Sequence, residues 1–172
     1  MSKAVRILFR ALALAVLAAV LVIANLPEKE PTVKGTKEGE SLPDFVITCL
    51  NGQHFSLSEQ EGKIVVINLW ATWCTPCVKE LPNFDRLQAE RQDVAVLALH
   101  APPITTDVAD YLSSFSYAIP FAVDENGSLC ELLDASTVLP QTIIVNADGI
   151  VSYNRVGALS YEALCELVDA AK

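Results

Sequence analysis

Two cysteines separated by two residues, Cys74 and Cys77 in Trp73-Cys74-Thr75-Pro76-Cys77, are the side chains of this sequence best placed to do chemistry together. Such a pair can bind zinc or exchange a disulfide. Tetrahedral zinc needs two further ligands. Cys49, Cys130, Cys165, His54 and His100 are scattered singly and form no second paired motif. Five cysteines is an odd number, and a domain of this size does not depend on disulfide staples. Redox exchange is the better reading, and neither a metal nor a cofactor is expected.

The position of the pair gives its members unequal roles. The run before it, IVVINL at 64–69, is of strand length and reads as a strand buried on both faces. The run after it, from 78 to about 91, carries Val78, Leu81, Phe84 and Leu87 at helical spacing, with Pro82 expected to kink it. A strand-to-helix junction puts Cys74 at a helix N-terminus, where free N–H groups and the helix dipole favour a thiolate. Cys77 lies one turn deeper, shielded but within disulfide reach. Cys74 would attack a substrate disulfide, and Cys77 would resolve the mixed disulfide. Pro76 in the first turn costs little, because that N–H lacks a helical partner anyway.

The chain of 172 residues holds one ordinary domain and a short extra segment. Lys3, Arg6 and Arg10 precede an uncharged stretch at 11–26, the pattern of an export signal or a signal-anchor. Begun at Ile7 the apolar run reaches 20 residues, the length of a membrane span, if Arg10 snorkels to the interface. Residues 1–26 are therefore expected to be a retained single-pass membrane helix, with the rest of the chain outside the cytoplasm. The alternative is a signal peptide cut near Ala24, releasing a secreted domain. Residues 27–41, rich in Glu, Lys, Thr, Gly and Pro, read as a flexible linker, and 42–172 as the folded domain. Formal charge is −9, and −12 once Lys3, Arg6 and Arg10 are set aside. So acidic a surface repels phosphate backbones, and no nucleic-acid partner is expected.

In the folded part, 45–50 and 53–57 flank Asn51-Gly52, a dipeptide that type I′ hairpin turns favour. Residues 94–99 read as a second buried strand, and 106–115 as a helix capped by Thr105 or Thr106. A short extended piece at 119–123 and a short helix at 128–133 follow. Residues 141–146 and 150–156 form a hairpin about Ala147-Asp148-Gly149, and 160–171 a helix with Tyr161, Leu164, Cys165 and Val168 on one face. The sum is an α/β sandwich with a mixed central sheet, parallel where helices cross over and antiparallel at the final hairpin.

The run VINLWATWCTPCVKELP at 66–82 closely resembles the thioredoxin superfamily, and specifically its membrane-tethered TlpA/ResA-like branch. The resemblance extends over 42–172 and includes the leading hairpin, which minimal thioredoxin lacks. It implies a thioredoxin-like sandwich with helices on both faces and an extra N-terminal β-hairpin. It further implies a protein-disulfide reductase acting on exported thiol clients, for example in cytochrome c maturation, with electrons from a membrane donor. Pro140, in Val138-Leu139-Pro140-Gln141-Thr142, would be a cis-proline facing the sulfurs. Leu139 and Pro140, with Trp73 and Pro76, would then border an extended substrate peptide.

Thioredoxin-like proteins often hold a buried Asp where this chain has Asn68, which cannot act as a base. In the ResA-like branch a Glu at the spacing of Glu80 is implicated near the active site. Partial burial would raise its pKa and suit it to accept the Cys77 proton; the alternative is an ordinary solvated helix residue. A reducing potential is expected, on a fold that spans about −270 to about −120 mV. Two other readings stay open. A peroxiredoxin-type peroxidase would have Thr or Ser where Ala71 stands, and a Sco-type copper chaperone, although two thiolates suit Cu(I), uses CxxxC. His100, at the end of the second buried strand, is read as a loop histidine, the alternative being a histidine near the pair that tunes the thiolate. Cys165 is read as a buried structural thiol, and Trp70 and Trp73 as packing and rim for the site.

Overall fold

A computed structural model describes residues 34–172 and residue 15. The membrane-helix or signal-peptide expectation for 1–26, but for residue 15, and the first part of the linker lie outside the described residues. Among the described residues no helix is long and apolar enough to cross a membrane.

In chain order the elements are β1 (Val46–Thr48), β2 (His54–Ser56), β3 (Ile64–Trp70), α1 (Thr75–Glu90), β4 (Val94–His100) and α2 (Val108–Leu112), then β5 (Phe121–Val123), α3 (Ser128–Leu132), β6 (Gln141–Val145), β7 (Val151–Val156) and α4 (Tyr161–Ala170). β1 and β2 pair as a separate antiparallel hairpin, and the main sheet has the order β5-β4-β3-β6-β7. β3–β4 and β4–β5 are parallel, while β6 runs antiparallel to both β3 and β7. Every residue of β3 and of β4 is buried, as their continuous apolar runs require of strands covered on both faces.

Alternation along β3 divides the core. Ile64, Val66 and Trp70 pack with Leu81, Phe84 and Leu87 of α1 and Leu164 and Val168 of α4. Val65, Ile67 and Leu69 face the other way, against Leu42, Phe45 and Phe55 of the hairpin layer and Leu129 and Leu133 at α3. Helices thus lie on both faces, and the parallel β3–β4 pair is joined by α1, the crossover that parallel strands need.

The structure departs from the sequence reading at several local points. Only Gly52 of the hairpin turn has a positive φ, 81°, so the turn is not type I′, which needs two such residues. The expected helix at 106–115 is only Val108–Leu112, and Asp107, not a threonine, caps it by accepting the Asp110 N–H at 3.0 Å. Only Val108 of that helix is buried, so packing has little to extend it with. Residues 34–41, which composition assigned to the linker, are hydrogen-bonded to β7. Gly39 N–H donates to Val151 O (2.8 Å), Val151 N–H donates to Glu40 O (2.8 Å), and Asn154 Nδ2 donates to Thr36 O (2.9 Å). Backbone groups make most of these contacts, and side-chain composition carries no record of them.

Candidate active site

β3 ends at Trp70, three residues turn the chain, and Cys74 caps α1. Cys74 has φ −90° and ψ 94°, and its Sγ accepts the Cys77 N–H at 3.3 Å. The sulfur therefore occupies the place where a capping oxygen usually satisfies a free helix N–H. Cys74 and Cys77 are joined by a disulfide, with their Cα atoms 5.3 Å apart. Cys74 is 5% exposed and Cys77 fully buried, so an incoming sulfur meets Cys74 first. Pro76 is exposed in the first turn, and Trp73, 48% exposed, stands on the rim with Nε1 donating to Pro103 O at 3.2 Å.

One helical turn beyond Cys77, Glu80 faces inward and is 3% exposed, not solvated. Its Oε1 accepts from Asn68 Nδ2 and its Oε2 from Leu159 N–H, both at 2.8 Å. Burial pushes the Glu80 carboxyl up to about 7, against the two hydrogen bonds, which favour the anion. Asn68, fully buried, keeps its own Oδ1 without a partner.

The Leu139–Pro140 bond is cis. Gln141 pairs with Leu69 at the end of β3, which sets Pro140 at the same end of the sheet as the turn leading to Cys74. The Pro140 carbonyl accepts from Gly157 N–H at 2.9 Å. Leu139 packs on both core layers, and Val138 beside it is 60% exposed.

His100 is not in a loop. It is the last residue of β4, fully buried, paired in register with Trp70, and its Nε2 accepts the Thr72 N–H at 3.1 Å. The ladder runs one residue past the apolar stretch because Trp70 continues β3 opposite it. Cys49, Cys130 and Cys165 are free thiols; Cys49 is buried, Cys165 only half-buried. Burial raises the Cys49 thiol, and burial with the Asp124 carboxylate alongside pushes Cys130 up to about 12.

Sequence reasoning missed the second cis bond, Pro102–Pro103, and the Leu159 amide that holds Glu80. Asn68, the one polar residue in IVVINL, was the available signal for a buried partner of Glu80. A backbone donor contributed from 79 residues away leaves no such mark.

Residues 37–168 match the Redoxin family. The thioredoxin-like protein YneN of Bacillus subtilis (strain 168) is 31% identical over 139 residues, covering 78% of this chain and 81% of that protein. The thiol-disulfide oxidoreductase ResA of Bacillus cereus (strain ATCC 10987 / NRS 248) is 28% identical over 163 residues, 94% of each chain. Among solved structures, the exposed lipoprotein thioredoxin Etrx1 of Streptococcus pneumoniae strain TIGR4 is similar with TM-score 0.67 and 25% identity, over 74% of this chain and 99% of that one. Capped disulfide, sheet order and relatives agree, and the chain belongs to the Redoxin family, as a ResA-like thiol–disulfide oxidoreductase of the thioredoxin superfamily.

Proposed function

We propose that this oxidoreductase works as a reductase of disulfides in exported proteins, held to the membrane by residues 1–26 and recharged by a membrane electron donor. Thiol clients of cytochrome c maturation are the substrates this reading favours. The observation that carries it is the geometry of Cys74, a helix-capping sulfur that accepts an N–H and is more open than its partner. The ResA relatives, thiol-disulfide oxidoreductases by name, support the same assignment. Nothing at the site favours the peroxidase or copper-chaperone reading.

The reaction begins with the pair reduced. The Cys74 thiolate attacks one sulfur of the client disulfide; a Cys74–client bond forms, the client S–S bond breaks, and the leaving sulfur takes up a proton. Cys77 then passes its proton to Glu80 and attacks Cys74 Sγ. The Cys74–client bond breaks, and the second client sulfur leaves as a thiolate and takes up a proton from solvent, to which Glu80 releases the one it accepted. The client departs as a dithiol, two electrons richer, and the pair closes to the disulfide. Glu80 with a pKa of about 7 is matched to this transfer at neutral pH. When Glu80 is protonated, a turn of the Asn68 amide presents its unpartnered Oδ1 to the new O–H, so the buried pair stays hydrogen-bonded in both states. Trp73, Pro76, Leu139 and Pro140 border the peptide.

The test is a Cys77→Ala variant expressed in intact cells, with the captured mixed disulfides identified. A protein client on Cys74 is expected; capture of small thiols alone refutes the dedicated reductase. An equilibrium with glutathione that places the couple near −120 mV reverses its direction. Recovery of the chain in the medium, cut near Ala24, replaces the anchor by secretion.

A further inference from the structure

We propose that His100 positions the attacking thiol: its Nε2 lone pair pins the Thr72 amide and so fixes the turn that delivers Cys74 to the head of α1. The inference rests on Cys74 being the sulfur that attacks. Four hydrogen bonds define the turn. Cys74 N–H donates to Ala71 O (3.0 Å), Ala101 N–H to Trp70 O (2.9 Å), Thr72 N–H to His100 Nε2 (3.1 Å) and Trp73 Nε1 to Pro103 O (3.2 Å). Three of the four run to residues 100–103. The exit of β4 therefore acts as a splint for the chain just before the nucleophile.

Within that splint the imidazole has a specific task. The strand VAVLALH is otherwise apolar, and a leucine at its end could pack on Trp70 without burying polar atoms. The histidine is instead fully buried with Nδ1 unpartnered, an arrangement that costs free energy. What it adds is an acceptor aimed at Thr72. The ring is held edge-on to Trp70, with centroids 5.1 Å apart and planes at 76°. Burial lowers the His100 pKa, so Nε2 keeps its lone pair at neutral pH and the proton sits on Nδ1.

Loss of the acceptor frees the Thr72 amide and lets Cys74 drift from the Cys77 N–H, which its sulfur meets at 3.3 Å. A thiolate less well held at the helix start has a higher pKa, and a less stabilised reduced form makes the couple more reducing. His100→Leu removes the acceptor and keeps bulk; His100→Gln retains an acceptor where Nε2 stood. The experiment alkylates the reduced full chain across pH, reads Cys74 and Cys77 separately by mass spectrometry, and measures the potential against glutathione. In His100→Leu the Cys74 alkylation rate at neutral pH is expected to fall by about fivefold, the ratio one ordinary hydrogen bond is worth. The potential becomes more negative, and His100→Gln restores both. Unchanged Cys74 titration in His100→Leu overturns the proposal, and so does a Gln variant displaced as far as the Leu variant. Should His100→Leu fail to fold, the nitrogen-15 shifts of the parent decide: Nε2 protonated at neutral pH also overturns it. Preferential alkylation of Cys77 would instead refute the assignment of the attacking sulfur, a separate failure.

Discussion

Replacing Glu80 by Gln removes one titration and little else. The amide has the size of the carboxyl, its oxygen keeps the Leu159 N–H, and its NH2 faces Asn68, whose free Oδ1 turns to accept. Burial lifts the Glu80 pKa from 4.5 to about 7, and at 1.36 kcal/mol per pH unit this amounts to about 3 kcal/mol. The sign follows from the direction: the folded chain keeps a proton that the unfolded chain releases. That stabilising contribution is complete below about pH 4.5 and is lost as pH rises through 7. Urea unfolding of the oxidised parent and of Glu80→Gln, from about pH 4.5 to about pH 8, gives the difference. The parent should lose about 3 kcal/mol relative to the variant over this range. His100, whose pKa is lowered, works oppositely and adds stability as pH climbs through 6.5, but it is common to both proteins and cancels. Parallel stability curves would mean that Glu80 ionises as a surface carboxylate does, and it could not then take the Cys77 proton at neutral pH.

Phe84 is fully buried against β3 on the α1 side, and Phe84→Ala should cost about 3–5 kcal/mol by denaturant midpoint; a loss under about 1 kcal/mol would contradict that packing. Cys130, held near 12, should stay unlabelled by iodoacetamide in the folded reduced protein at pH 8 while Cys74 reacts; equal labelling would refute its burial beside Asp124. Asp107→Ala should cost about 1 kcal/mol and speed amide exchange mainly within Val108–Leu112, whereas unchanged exchange there would remove its capping role.

The parts of the fold visible in the sequence are those written in side-chain type. IVVINL and VAVLAL read as strands covered on both sides, and Val78, Leu81, Phe84 and Leu87 marked the helix after the disulfide. Cys74 at the head of that helix followed from the same pattern. The features that escaped depend on contacts made elsewhere. His100 looked like the start of a loop because its partner, the Thr72 amide, lies 28 residues earlier and is backbone. Residues 34–41 read as tether because polar composition does not reveal that Gly39 and Glu40 pair with Val151. The helix at 108–112 was overestimated because Thr105, Thr106 and the serines after it can cap or end a helix equally well, and only packing chose among them.

The attachments of residues 34–41 and of the β1–β2 hairpin have a joint consequence for solubility. The first lies along β7, and the second reaches β5 through the Cys49–Ala122 bridge and the Leu50 N–H bonded to Phe121 O at 2.8 Å. β7 and β5 are the two outermost strands of the main sheet. Each flank is thus occupied in part by the protein's own chain, which blunts the open ladder on which foreign strands would otherwise zip up. A thiol–disulfide oxidoreductase, which must meet client proteins sulfur to sulfur, thereby offers them less free strand edge on which to aggregate.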